Sequence, residues 1–94
     1  MDYEQFVASL AASQPPSGIS QELLSLWHDG RNDWHHSHEI AQDIQGINGS
    51  WIHAYLHRKE GDFNNARYWY HRAGKNEPSI SLGEEWKVLV RSFL

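Results

Sequence analysis

His53, His57 and Glu60 have the types and spacing that could do chemistry. Intervals of four and three put them on one face of a helix. Two imidazoles and a carboxylate form the donor set of Zn²⁺ and non-haem Fe²⁺ sites. His53, His57 and Glu60 are therefore the candidate metal ligands, with Zn or Fe as the metal. His38 or Gln42 can add a donor from the preceding antiparallel helix, and Arg58 and Asn65 stand near enough in sequence to hold an anion or another ligand. The string His53-Ala-Tyr-Leu-His57 lacks the glutamate that follows the first histidine in zinc peptidases, so it is not that motif. The competing reading is a polar core in which His53 and His57 hydrogen-bond to Asp43, Asn65 or Tyr68. Both readings bury the two histidines.

Other constellations carry less. In His35-His36-Ser37-His38-Glu39 the adjacent histidines point about 100° apart on a helix and do not easily share an ion. An exposed polar face accounts for them. Arg67-Tyr-Trp-Tyr-His-Arg72 interleaves bases with aromatics, as a stacking surface for single-stranded nucleic acid would. Helical spacing turns Tyr70 and Trp69 inward, however, leaving a solvated basic edge. Glu84 and Glu85 fall in the first turn of a helix, where they suit the positive end of its dipole. No nucleophile triad, phosphate loop or dinucleotide fingerprint is present.

These groups need a scaffold, and 94 residues make one domain. With no cysteine, thiolate metal sites and disulfides are excluded. No apolar run approaches the roughly 20 residues of a membrane span, and the acidic Met1-Asp2-Tyr3-Glu4 start is unlike a signal peptide. The expected compartment is the cytoplasm. A net charge of −4 argues against a general nucleic-acid binder. Seven acids against one base occupy residues 1–52, and five bases against two acids occupy 53–76. An uneven solvated surface accounts for this, with internal pairing, a dimer contact or an anion site as the alternatives. Five Trp in so short a chain hint at more aromatic area than the core can cover, hence an interface.

Punctuation and period predict an all-α fold of about six short antiparallel helices. Residues 1–19 hold a first helix, opened by the capping-box pair Asp2 and Gln5, with Tyr3, Phe6, Val7 and Leu10 on one face, and a Pro-Pro-Ser-Gly linker. Residues 20–45 form a hairpin: Ser20 caps a helix with Leu23, Leu26 and Trp27 inward, then Asn32 or Asp33 caps one bearing Trp34, Ser37, Ala41 and Ile44. Gly46 to Gly49 read as a loop, and Ser50 as the cap of the next helix. Residues 50–74 form a second hairpin, turned by Gly61 and capped by Asp62, with Phe63, Ala66, Tyr70 and Ala73 along its second helix. Residues 81–94 form a closing helix, opened by Ser81 and Glu84, with Trp86, Leu89, Val90 and Phe93 inward.

The two hairpins repeat at a spacing of 29: Leu24, Trp27, His28, Asp33, Trp34 and Ser37 align with His53, Leu56, His57, Asp62, Phe63 and Ala66. Gly61-Asp62-Phe63-x-x-Ala66-x-x-x-Tyr70-x-x-Ala73-x-x-x-x-Pro78 resembles the second half of a tetratricopeptide repeat, and Ala54 stands at the small position of that family's first helix. The upstream unit resembles a degenerate copy, with Asn32 for the turn glycine and Ser37 for the first alanine. His53 and His57 depart from the pattern, replacing a leucine-like and a tyrosine-like core residue. The block 51–74 also looks like that of small stand-alone bacterial proteins of no assigned activity.

The resemblance implies a non-catalytic interaction domain that binds a protein partner or itself. Because two units fall short of the three such arrays usually need, self-association is as natural as peptide capture. The alternative is a small-ligand or metal-binding protein, or a small enzyme, using His38, His53, His57, Arg58, Glu60 and Asn65. The reading leans away from catalysis.

Overall fold

Five of the six helices begin where a side-chain oxygen accepts a free N–H of the first turn. The computed structural model describes residues 1–94, all of its regular structure being helical. Asp2 caps α1 (Tyr3–Ser9), Ser20 caps α2 (Gln21–Gly30), Asp33 caps α3 (Trp34–Gln42), Asp62 caps α5 (Phe63–Arg72) and Ser81 caps α6 (Leu82–Phe93). Asp2 and Ser81 form full capping boxes with Gln5 and Glu84.

The exception is α4 (Gly46–Lys59), which starts four residues ahead of the expected cap. Gln45 stands at its N-cap without a side-chain bond, and Ser50 lies inside the helix. Gly46 takes φ +84°, and a Cβ on Gly49 would lie 1.8 Å from the carbonyl oxygen of Ile44. Two glycines that read as a loop instead let the chain turn sharply from α3 into α4.

The helix pairs α2–α3 and α4–α5 share one turn. Asn32 and Gly61 are both left-handed, at φ +63° and +85°. The next residue's N–H then reaches back 2.9 Å to a histidine carbonyl, Asp33 to His28 and Asp62 to His57. Ser37 and Ala66, the small residues of the repeat, are both buried, and Ser25 Oγ donates to the Ser37 carbonyl at 2.8 Å.

The main core joins Phe6 of α1, Leu23, Leu26 and Trp27 of α2, Ile52, Tyr55 and Leu56 of α4, and Leu89 and Val90 of α6. Ala54, Ala66 and Tyr70 make a smaller cluster between α4 and α5. Residues 52–57 of α4 are all buried, so this helix is covered on every side. Two expected core positions lie outside: Val7 is exposed, and Phe63 is 57 % exposed at the first position of α5. None of the five tryptophans is exposed. Four indoles donate within the chain: Trp27 to the Ser9 carbonyl, Trp34 to Leu56, Trp86 to Leu26, and Trp51 to Glu85. The tryptophans are thus absorbed internally.

Candidate metal centre

The α3–α4 corner and the α4–α5 hairpin bring three histidines together. His38 comes from α3, and His53 and His57 from successive turns of α4. The two on α4 are 8 % and 7 % exposed, as both sequence readings require. One ring nitrogen from each of the three lies within 4.8 Å of the others. His38 Nε2 and His53 Nε2 are 2.8 Å apart, close enough for one proton to be shared between them.

Aromatic rings wall the cluster. Trp34 stacks on His38 with centroids 4.8 Å apart, and Trp69 stacks on His53 at 4.1 Å. His53 and His57 stack on each other at 4.7 Å, with His38 nearly perpendicular to both. Burial lowers the pKa of His38, with His57 adding to the effect. Burial, then His38 and His57, hold His53 at about 4. His38 and His53 therefore favour the uncharged form at neutral pH, the form that ligates metals.

His57 is oriented from behind. Its Nδ1 sits 2.7 Å from Glu60 Oε1, and its Nε2 sits 3.3 Å from Asn65 Nδ2. A carboxylate only accepts, so Nδ1 donates, and in the neutral ring the Nε2 lone pair accepts from Asn65 Nδ2, a bond that a metal on Nε2 would displace. This is the carboxylate–histidine pairing that fixes the tautomer of a metal ligand. A Zn–N length of about 2.0–2.1 Å sets tetrahedral ligand nitrogens about 3.4 Å apart, between the 2.8 Å of the His38–His53 pair and the 4.8 Å that bounds the cluster.

The grouping differs from the expected ligand set. His38 joins His53 and His57 as the third nitrogen donor, and Glu60 stands behind His57. Asn65, one of the wider candidate residues, bonds to His57, as the polar-core reading expects. Arg58 is turned away: it donates to buried Glu85 at 2.8 Å and to the Ile80 carbonyl. Asp43 bonds to neither buried histidine, and Tyr68 is exposed, accepting from Arg72 at 3.1 Å. His28, Asp33 and His36 gather at the equivalent turn of the first hairpin, mostly in solvent.

Two buried networks escaped the sequence reading. Asp29 accepts from Tyr55 Oη at 2.7 Å and Lys59 Nζ at 2.9 Å. Glu85 accepts from Tyr70, Trp51 and Arg58. Burial, reinforced by these carboxylates, pushes both tyrosine pKa values far above their ordinary range. The available signal was an acid on the apolar face of its helix: Asp29 three residues after Leu26, and Glu85 four before Leu89.

Comparison with known protein families, with curated proteins and with solved structures gives no match to this chain.

Proposed function

We propose that this protein binds a transition-metal ion, Zn²⁺ before Fe²⁺, through His38, His53 and His57. The observation that carries the reading is the convergence of three ring nitrogens within 4.8 Å, two of them on buried residues. The Glu60 carboxylate on His57 Nδ1 and the low pKa of His53 both support it, since each favours the ligating form of a ring. Three nitrogen donors leave a fourth position for water or a small ligand. Calorimetric titration of the metal-free protein with Zn²⁺ tests it, with one ion per chain as the expected result. Absence of binding, together with full stability of the double variant His53→Leu/His57→Tyr, would leave only a polar core.

A second reading, an interaction domain of tetratricopeptide type, has its own support. α5 exposes Phe63 at its first position, where the helix begins, and Tyr68 on the side away from Ala66 and Tyr70, at 57 % and 53 %. A protein partner or a second copy would cover them. Sedimentation velocity of the wild type against Phe63→Ser/Tyr68→Ser separates self-association from a strictly monomeric chain.

A further inference from the structure

The serine that looked like a helix cap has no cap to make. Ser50 lies in the second turn of α4, is 9 % exposed, and its hydroxyl has no hydrogen-bond partner in the protein. His53, one turn on along the same face, bonds through Nε2 to His38, and its Nδ1 is likewise without a protein partner. Every fully enclosed side-chain nitrogen and oxygen in the molecule is paired, so these two atoms keep a residual opening. Both residues line the same cavity of about 260 Å³ between the start of α4 and the side of α5.

Arg72 is the one charged residue in that wall, and no carboxylate lines it. The two other cavities of the molecule each have both a base and an acid in their walls, Lys59 and Asp29 in one and Arg58 and Glu77 in the other. The Arg72 guanidinium lies over the Trp69 ring, 5.4 Å from its centroid, and Trp69 in turn stacks on His53. One of its nitrogens donates to Tyr68 Oη, leaving further donors unassigned. Gln42 and Gln45 add amide groups, and Gln45 and Gly46 bring the uncapped, positive end of α4 to the rim.

We propose that this cavity binds a small oxygen anion, a carboxylate or an inorganic oxyanion. Arg72 supplies the charge, Ser50 donates through its hydroxyl, and His53 donates through Nδ1. In that tautomer His53 Nε2 carries the lone pair and accepts from His38. The site uses Nδ1 of His53 and needs no metal, so it stands apart from the metal reading.

The test is an NMR titration of the full chain in the presence of a chelator, with acetate and with inorganic phosphate as probes at constant ionic strength. Expected are saturable shifts of the Gly46 to Ser50 amides and the His53 ring with at least one probe. Arg72→Gln should weaken binding about tenfold and Ser50→Ala about threefold, in keeping with loss of a charge-assisted and a neutral hydrogen bond. Arg67→Gln removes a cation from the same helix outside the cavity and should leave the affinity unchanged. Shifts that never saturate with either probe, or equal affinity in wild type, Arg72→Gln and Ser50→Ala, would overturn the proposal. Because the chelator holds the protein metal-free, failure of the metal reading leaves the outcome intact.

Discussion

Burial and the imidazoles of His38 and His57 pull the pKa of His53 down from 6.5 to about 4. The folded state therefore refuses a proton that the unfolded chain accepts. The stability involved is fully present above pH 6.5 and is lost as the pH falls towards 4. A shift of this size corresponds to a loss on the order of 3 kcal/mol, and His38, shifted the same way, adds to it. Urea unfolding of the metal-free protein at pH 7.5 and pH 4.5 should show this loss, and His53→Leu should flatten the dependence. Glu60 makes a separate prediction. Its exposed carboxylate orients His57 from outside the cluster, so Glu60→Gln should leave the fold intact and weaken Zn²⁺ binding about tenfold. Unchanged affinity in a competition assay with a zinc indicator would remove Glu60 from the site.

At the scale of elements, the two hairpin turns and the start of α4 carry the positioning. Asn32 and Gly61 occupy equivalent left-handed positions, but only Asn32 has a side chain there. Asn32→Ala should cost about 1 kcal/mol, whereas Asn32→Gly should be close to neutral, both measured by thermal unfolding. Gly49 is less forgiving. A methyl group 1.8 Å from a backbone oxygen cannot be absorbed by a side-chain rotation, so Gly49→Ala must move the α3–α4 corner. We expect a loss on the order of 3 kcal/mol. His38 would separate from His53 in the same variant, and metal affinity should fall with stability.

For the molecule as a whole, α4 is the axis on which both charge and core are organised. Lys59 reaches Asp29 of α2, which settles part of the contrast between an acidic first half and a basic middle, and Arg58 reaches Glu85 of α6. Glu85 is almost wholly buried, and only Arg58 offers it a full positive charge. Removing that partner leaves a carboxylate out of water with two neutral donors. Arg58→Met should therefore cost about 3–5 kcal/mol in chemical denaturation, far more than loss of the exposed pair Arg67–Glu77. No helix is long and apolar enough to cross a membrane, consistent with a chain whose apolar faces turn to one core.

By itself, the sequence determined what acts over three or four residues. Asp2, Ser20, Asp33, Asp62 and Ser81 cap helices because a cap bonds an N–H three positions on, a distance the local chain sets. The shared turn of the two hairpins and the pairing of Glu60 with His57 follow from the same short range. Ser50 shows the limit: a good capping residue does not cap when the helix can begin earlier, and the glycines at 46 and 49 let it. Tertiary structure decided the rest. His38 meets His53 across 15 residues, Arg58 meets Glu85 across 27, and Trp86 meets Leu26 across 60. Such contacts depend on how the helices cross, which is set by the fit of whole faces. That is why the choice between His38 and Gln42 as the neighbour of the two histidines, the true anion of Arg58 and the open hydroxyl of Ser50 emerged only once the helices were packed.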